Sequence, residues 1–227
     1  MQPYLFPYLG YFQLLHCADT FVLLDDVAFI NKGWINRNVL LVNCAKYLFS
    51  IPLLGSSQNK LIKDIRLYPD IRPRQKLLAT IRQEYKTAIA FNDVFPLVEQ
   101  ILLSGEGDLT ALVLESLRRI NAHVNLSVPV LRSSTITKDN GLVAQARIIE
   151  ICQRLGAHEY VNLPGGAALY AAADFERQGI RLRFLQPALI PYSQRGQPFV
   201  PGLSIIDVLM HNRPNQVQQF FQQATLQ

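Results

Sequence analysis

Residues 128–186 read VPVLRSSTITKDNGLVAQARIIEICQRLGAHEYVNLPGGAALYAAADFERQGIRLRFLQ, and this stretch decides the fold of the chain. The apolar runs VPVL, EYVNL and RLRFL are typical of buried strands, and the segments between them carry the 3.6-residue periodicity of amphipathic helices. Gly156 follows the first helical segment, where glycine commonly ends a helix in the left-handed conformation. Strands that alternate with helices over short connections are typical of a parallel sheet with crossover helices. The stretch therefore predicts an α/β fold.

Further elements are predicted on the amino-terminal side of this stretch. FVLL at 21–24 is typical of a buried strand, and LIKDIRL at 61–67 alternates apolar and polar residues as a half-buried strand does. Helical periodicity is present at 73–85, 92–104 and 108–121. We expect a mainly parallel sheet flanked by helices, with Rossmann-like or nucleotidylyltransferase-like layering and a helical insertion in the middle of the chain.

The predicted elements divide the chain into three parts of one domain. Residues 1–69 form an N-terminal α/β segment, residues 70–125 a helical cap or subdomain, and residues 126–227 a C-terminal α/β segment that completes the domain. The chain has 227 residues, of which 49% are hydrophobic and 17% charged. That is enough apolar material for a core that needs no disulfide or metal.

Composition also bounds the partners and the compartment. The net charge of +5 comes from 22 Lys and Arg against 17 Asp and Glu, and the basic residues are scattered. An anionic small molecule or a solvated face explains this excess, and nucleic acid is not expected as a partner. Three cysteines without a CxxC pair, and four histidines without metal-ligand spacing, predict neither disulfides nor bound metal. No apolar stretch approaches the roughly 18 residues of a membrane span, so we expect no membrane insertion and a cytoplasmic protein.

The motif QPYLFPYLGYF at 2–12 follows Met1 directly. Pro3 and Pro7 favour extended geometry at its start. Domains commonly have a few frayed residues before such a dense aromatic motif. One alternative is that the domain opens with a loop that these prolines hold extended. The other, which we favour as an expectation, is that a short first strand belongs upstream of the motif and that its absence leaves a position in the sheet weak or empty.

Polar residues follow each predicted strand of the parallel sheet, at the edge where such sheets bind ligands. Asp25 and Asp26 come directly after FVLL. Arg132, Ser133 and Ser134 follow VPVL, Pro164, Gly165 and Gly166 follow EYVNL, and Gln186 follows RLRFL. A carboxylate at a strand end in an apolar cleft can have its pKa raised and act as a general base. The alternative is that one aspartate forms capping hydrogen bonds and the other is solvated.

The segment NKGWINRN at 31–38 combines Asn, Lys, Arg and the single Trp of the chain. Lys32 and Arg37 are candidate ligands for an anion, since the planar fork of arginine matches phosphate and carboxylate. Asn36 and Asn38 offer directional hydrogen bonds, and the ring of Trp34 suits a sugar, a base or a cation. The alternative is a loop with Asx-turns and a half-buried Trp.

Other polar residues are weaker candidates. Gly165 and Gly166 at the start of a helical segment suit a phosphate or carboxylate, or only a tight turn. His16 is a possible proton carrier or a partly buried structural residue. Tyr192 and Gln194 in PYSQRGQPFVPGLSIIDVL are expected to face a ligand. Ser204 and Asp207 in the same motif are explained by helix capping alone.

Five motifs in this order resemble the WbqC-like family of bacterial proteins, and the resemblance spans nearly the whole chain. They are QPYLFPYLGYF, the FVLLDDV strand, NKGWINRN, YVNLPGGAALY and PYSQRGQPFVPGLSIIDVL. The resemblance implies modification of bacterial surface polysaccharide or nucleotide sugars by acyl or aminoacyl transfer to an amino sugar. A second resemblance, to the strand–helix–strand start of nucleotidylyltransferase-like folds, implies ATP chemistry. The positions of the histidine motif of those folds are PYLGYF here, which puts ATP chemistry in doubt.

These observations favour a transferase whose partner is an anionic small molecule such as a nucleotide sugar, with no cofactor and no metal. The alternatives are an ATP-using ligase or nucleotidyl transferase, and a non-catalytic binding or scaffold protein. The candidate catalytic residues are Asp25, Asp26 and His16. The candidate substrate-binding residues are Gln2, Pro3, Tyr11, Lys32, Trp34, Asn36, Arg37, Asn38, Gly165, Gly166, Tyr170, Tyr192 and Gln194.

Overall fold

The helices of the protein lie in all three predicted parts of the chain. A computed structural model describes residues 1–104, 107–194 and 198–227. Its α-helices are α1 (Leu9–Cys17), α2 (Arg72–Tyr85), α3 (Phe91–Leu103), α4 (Leu109–His123), α5 (Ala144–Arg154), α6 (Ala172–Glu176), α7 (Ile205–His211) and α8 (Pro214–Phe221). Short 3₁₀ helices cover Ile62–Asp64, Ser133–Thr135 and Pro164–Leu169. None of the helices in this part of the chain combines the length and apolarity needed to cross a membrane.

The strands form small sheets. They are β1 (Phe21–Leu23), β2 (Arg37–Val42), β3 (Ala45–Ser50), β4 (Leu53–Leu54), β5 (Arg66–Leu67), β6 (Val130–Arg132), β7 (Glu159–Asn162), β8 (Arg181–Gln186) and β9 (Thr225–Leu226). Strand β1 pairs in parallel with β6, and β7 pairs in parallel with β8, whose other edge carries antiparallel β9. Strands β2 and β3 form an antiparallel hairpin, and β4 and β5 a second antiparallel pair.

The predicted α/β class is confirmed: two pairs of strands are parallel, α6 crosses over between the paired strands β7 and β8, and α5 connects β6 to β7. A single large parallel sheet is not formed by the described residues, since β1 and β7 do not pair with each other. A cavity of about 430 Å³, here called the β1–β7 slot, is lined by residues of both strands. The parallel strands therefore form two separate pairs, β1 with β6 and β7 with β8.

The strand predicted at 61–67 is wrong over most of its length. Residues Ile62–Asp64 form a 3₁₀ helix, and only Arg66–Leu67 are extended. Ile62 and Ile65 are both fully buried. Their three-residue spacing matches one 3₁₀ turn, so the same apolar residues satisfy a helical pattern as well as an alternating one.

The helical middle packs into the same core as both ends of the chain. Leu5 near the start, Leu112 in α4 and Phe221 at the end of α8 belong to one continuous cluster of buried apolar residues. Asp108 caps α4, because its carboxylate accepts hydrogen bonds from the main-chain N–H of Thr110 and Ala111. The three-part division of the chain stays a prediction.

Candidate functional site

The carboxyl ends of β1 and β6 bring Asp25 together with residues that follow it by more than a hundred positions. The parallel register places Leu23 opposite Arg132. Asp25 is fully buried, and its carboxylate accepts hydrogen bonds from Arg132 Nε at 2.7 Å, from the Ser134 main-chain nitrogen at 2.9 Å and from Ser134 Oγ at 2.7 Å. Its oxygens are therefore engaged in holding Arg132 and Ser134 at the strand end.

Asp26 has a different set of partners. Lys138 Nζ lies 2.6 Å from Asp26 Oδ2, and Arg147 Nη1 lies 3.7 Å from Oδ1. Burial alone raises the pKa of Asp26, but the neighbouring Lys138 ammonium, the Ser133 hydroxyl and the charge of Arg147 outweigh it and leave the pKa below its ordinary value. Asp26 is thus an ionised carboxylate at neutral pH, whereas the sequence pattern pointed to a raised pKa.

The cationic side chains around the two aspartates differ in exposure and in how many hydrogen bonds they already make within the protein. Arg147 donates to the carbonyl oxygens of Asp26, Asn140 and Leu142, so it anchors the segment that leads into α5. Lys138 has a side chain only 1% exposed. Arg132 is a quarter exposed, and its second carboxylate partner, Asp108 Oδ2, is 3.8 Å away. Among these cations, Arg132 is the one that can meet an anion from solvent.

We call these residues the aspartate cluster: Asp25, Asp26, Arg132, Ser134, Lys138 and Arg147. Sequence reasoning singled out its aspartates and noted Arg132 and Ser134 as strand-end residues, but it missed Lys138 and Arg147. Lys138 lies in an irregular segment with no periodicity to mark it. Arg147 stands on a predicted helix, where a charged residue ordinarily indicates only a solvated face.

The two glycines that follow β7 lie in a 3₁₀ helix, and they differ in the space available for a side chain. A side chain on Gly165 would meet open space, whereas a Cβ on Gly166 would lie 2.8 Å from Nδ2 of Asn162. Tyr170 lies at the end of the same helix, with its hydroxyl 3.5 Å from that of Tyr160. Tyr160 and Tyr170 pack on a small apolar cluster that also receives Leu24, the residue before Asp25. The β1 and β7 strand ends are therefore linked through one patch of packing.

The NKGWINRN segment uses its polar side chains within the fold. Arg37 donates through Nε to the Gly33 carbonyl oxygen at 2.7 Å, donates through Nη2 to that of Lys32, and its guanidinium lies 5.6 Å from the Trp34 ring centre. Asn36 Nδ2 donates to the Ile51 carbonyl oxygen at 2.8 Å. Asn38 Nδ2 donates to the Leu5 and Phe6 carbonyl oxygens at 3.2 and 2.7 Å. These bonds order the loop and the first motif, and they do not reach the aspartate cluster. Trp34 is 45% exposed.

The remaining candidates, from the first motif and from α1, lie near opposite ends of β1. The Met1 main chain pairs with Val22 and Leu24, so Gln2 and Pro3 follow at the carboxyl end of β1. Tyr11 is fully buried and donates to the Gln2 carbonyl oxygen at 3.0 Å. His16 is exposed in the last turn of α1, which leads into the amino end of β1. It is therefore at the edge of the strand away from Asp25 and Asp26.

Tyr192 and Gln194 contact a buried carboxylate that sequence reasoning assigned to capping. Asp207 is fully buried, and it accepts hydrogen bonds from Tyr85 Oη at 2.8 Å, Tyr192 Oη at 2.7 Å and Gln194 Nε2 at 3.0 Å. Burial raises the pKa of Asp207, but His211 and the tyrosine hydroxyls lower it further and leave it below the ordinary value. Ser204 caps α7 as predicted, whereas the capping explanation of Asp207 is wrong. Residues 195–197 of this motif lie outside the described residues.

The fold and the cluster together define an α/β protein with a carboxylate–cation site at the carboxyl ends of parallel strands. No group of three His, Cys, Asp or Glu side chains that could hold a metal ion occurs within the described ranges 1–104, 107–194 and 198–227. The chain belongs to the WbqC-like protein family, whose model matches residues 2–219. An uncharacterized protein of Mycobacterium tuberculosis (strain ATCC 25618 / H37Rv), Rv1507c, is 24% identical over 211 residues, which cover 90% of this chain and 89% of the relative. No solved structure matches the chain.

Proposed function

We propose that the protein is a transferase that moves an acyl or aminoacyl group onto an amino sugar, with an anionic sugar such as a nucleotide sugar as substrate. The observation that carries the proposal is the aspartate cluster, where an ionised carboxylate and a partly exposed arginine meet at the carboxyl ends of β1 and β6. Ligands of parallel α/β proteins bind at that edge. The family resemblance supplies the class of substrate.

Asp26 is the best candidate for the general base in this proposal. The nitrogen of the attacking amine bonds to the donor's carbonyl carbon, the donor's leaving group departs, and the proton of the amine passes to a carboxylate. Asp26 is ionised at neutral pH because of Lys138 and Arg147, so it can accept that proton, although its low pKa limits the driving force. Asp25 then serves to position Arg132 and Ser134, since its oxygens already accept their hydrogen bonds.

Arg132 is proposed to bind the anionic group of the substrate, and Trp34 is the exposed ring proposed to stack on a sugar or base. The sequence candidates that follow β7, Gly165, Gly166 and Tyr170, are proposed to border the substrate. Arg37 can contribute an anion clamp only if it releases the carbonyl oxygens of Lys32 and Gly33.

A thermal-shift screen tests the proposal. At a nucleotide-sugar concentration about 100 times its Kd, binding stabilises the folded state by about 2.7 kcal/mol, which is about 5–10 °C in Tm for a chain of this length. Arg132→Gln should abolish this shift. Arg72→Gln is the matched control, because Arg72 carries the same charge on α2 with a side chain 84% exposed. A shift with ATP and Mg²⁺ alone would instead support the ligase, and a shift with none of nucleotide sugars, acyl-CoA, aminoacyl donors or ATP would support a non-catalytic protein.

Once donor and acceptor are identified by that screen, turnover separates the roles of the aspartates. Asp26→Asn should lower the rate about 10²- to 10⁴-fold with little change in ligand-induced stabilisation, as expected for loss of a general base. Full turnover in Asp26→Asn would contradict the assignment, and Asp25, the other carboxylate of the cluster, would be tested next.

A further inference from the structure

The net positive charge of the chain is concentrated in one segment. Between Asp26 and Asp64 the sequence contains no acidic residue, and its cations are Lys32, Arg37, Lys46, Lys60 and Lys63. The whole chain has 22 Lys and Arg against 17 Asp and Glu, so the rest of the chain is balanced and these five residues account for the net charge of +5. Charge of one sign on one segment favours a partner of the opposite sign.

The fold leaves these five cations without acidic partners. None of them forms an ion pair within residues 1–104, 107–194 and 198–227. Arg37 and Lys60 donate only to main-chain carbonyl oxygens, in the case of Lys60 to that of Gly55. Elsewhere, exposed arginines such as Arg72 and Arg154 pair with a neighbouring carboxylate. The exposed cations of the segment are Lys32, Lys46 and Lys60.

The same segment exposes large apolar side chains. Those of Ile30, Trp34, Leu48 and Leu54 are between 45 and 52% exposed. Apolar side chains that lie together on the surface, with polar residues around them, indicate a site that binds another molecule. The segment therefore combines uncompensated positive charge with exposed apolar surface.

Hydrogen bonds hold two loops of this segment side by side. Phe29 donates its N–H to the Lys60 carbonyl oxygen at 2.9 Å. Lys60 Nζ donates to the Gly55 carbonyl oxygen at 2.8 Å. The sequence neighbours of these residues, Ile30 and Leu54, therefore lie on adjoining loops.

One face of the β2–β3 hairpin continues this surface. Residues two apart in a strand share a face, and so do residues directly opposite each other on paired strands. Leu48 lies opposite Val39, which is two residues after Arg37, so Leu48 and Lys46 share a face with Arg37. The Arg37 guanidinium lies 5.6 Å from the Trp34 ring centre. Trp34 is therefore next to the hairpin face that carries Leu48 and Lys46.

We call these residues the basic apolar face: Ile30, Lys32, Trp34, Lys46, Leu48 and Leu54. A membrane surface with anionic phospholipids matches both of its properties, because lysines are attracted to the headgroups and apolar side chains enter the boundary with the acyl chains. Tryptophan is enriched at that boundary. A nucleic acid would match the charge, but it binds through phosphate contacts and aromatic stacking and would leave the aliphatic side chains in water.

We propose that the protein docks through the basic apolar face onto a membrane surface that contains anionic phospholipids, and that it lies on this surface without spanning the membrane. The proposal goes beyond the transferase function and does not rest on it. Trp34 is used by both proposals. The test therefore changes Lys32 and Lys46, whose side chains have no role in the proposed transferase.

Trp34 is the single tryptophan of the chain, so tryptophan fluorescence reports directly on this face. The full chain is titrated with vesicles of equal parts phosphatidylglycerol and phosphatidylcholine, and with vesicles of phosphatidylcholine alone. The charge variant carries Lys32→Glu and Lys46→Glu. The matched control carries Lys76→Glu and Arg118→Glu, which make the same change in net charge at exposed positions of α2 and α4.

Anionic vesicles should move the emission of Trp34 to shorter wavelength as the ring leaves water, and phosphatidylcholine vesicles should not. One lysine near an anionic surface strengthens binding about fivefold, so the charge variant should bind at least about tenfold more weakly than the unaltered chain. The control should bind within about twofold of the unaltered chain. Salt at about 1 M should also weaken binding, because the Debye length falls to about 3 Å.

A second variant, Ile30→Gln with Leu54→Gln, keeps the charge and removes apolar contacts. It should bind anionic vesicles at least about tenfold more weakly, because those side chains enter the lipid. Thermal unfolding checks that each variant keeps its fold, as expected for changes at exposed positions.

Absence of binding to anionic vesicles, or equal binding by the charge variant and its control, would overturn the proposal. Full binding by the Ile30 and Leu54 variant would overturn it too, because the face would then bind through charge alone. Tighter binding to a single-stranded oligonucleotide than to anionic vesicles would identify nucleic acid as the partner instead.

Discussion

The carbonyl oxygen of Phe6 holds distant parts of the chain together. Phe6 has a positive φ of 47°, an uncommon conformation for a bulky residue. Its oxygen accepts hydrogen bonds from Asn38 Nδ2 at 2.7 Å and Ser204 Oγ at 2.8 Å. The sequence marked both polar residues as notable, but for binding and capping. It could not predict a shared main-chain partner, because that partner is set by packing between segments far apart in the chain.

The two glycines after β7 should differ in how well they tolerate a side chain. Gly166→Ala should lower the free energy of unfolding by about 1–2 kcal/mol, because the new Cβ lies 2.8 Å from the buried Asn162 amide. Gly165→Ala should change it by less than about 0.5 kcal/mol, since open space surrounds that position. Chemical denaturation of both variants measures the difference. Equal effects would contradict the packing described for Gly166.

Among the elements, those with caps and strong periodicity were predicted to within a few residues. Helix α4 begins after the Asp108 cap, and α5 ends just before Gly156, whose φ is +65°. The short strands β1, β6, β7 and β8 were also predicted from their apolar runs. The whole segment between β7 and β8 was predicted to be helical, but only Ala172–Glu176 are α-helical. Short alanine-rich segments have little apolar periodicity, so local propensity does not decide their bounds.

A buried hydrogen-bond network links helix α7 to helix α2 and to strand β2. Asp207 in α7 accepts a hydrogen bond from Tyr85 at the end of α2, and Tyr85 in turn accepts one from the Leu41 N–H in β2. Asp207→Asn should lower the free energy of unfolding by about 2–4 kcal/mol, because it removes the charge of a buried network and replaces one acceptor oxygen by an NH2 group that faces other donors. Asp93→Asn, on the exposed side of α3, is the control and should have an effect below about 0.5 kcal/mol. A comparable loss of stability in both variants would contradict a stabilising role for Asp207 in this network.

The whole molecule depends on contacts between its two ends. The aspartate cluster joins β1 to residues after β6, and residues of the first motif contact α7. Sequence reasoning predicted that polar residues gather at the carboxyl ends of the parallel strands, because that follows from strand direction alone. It could not predict which cations would meet Asp25 and Asp26. Those cations come from an irregular segment and a helix face, and only the folded arrangement brings them near.

The buried Met1 amine makes the stability of the whole molecule depend on pH. Its pKa is about 5 in the folded state and 8.0 ordinarily, so between these values the unfolded chain binds a proton that the folded chain does not. Stability should therefore fall as pH is lowered from 8 to 5, by up to about 4 kcal/mol from this group.

Acetylation of the amine should remove that contribution. The acetylated and free chains both carry Asp19, His158 and Glu159, the other charged groups that line the slot, so the difference between them isolates the amine. Denaturation of both forms at pH 5 and at pH 9 measures it. A difference that does not shrink at pH 9 would show that the amine is not the cause.

The pairing of Asp25 with Ser134 also determines how long β1 must remain unpaired while the chain is being synthesised. These residues are 109 positions apart. At translation rates of about 5–20 residues per second, β1 waits about 5–20 s before β6 leaves the ribosome. Throughout that interval the apolar strand and its two carboxylates lack their native neighbours. Contacts of such long sequence separation slow folding, so the nascent chain passes through an aggregation-prone stage that holdase chaperones are suited to protect.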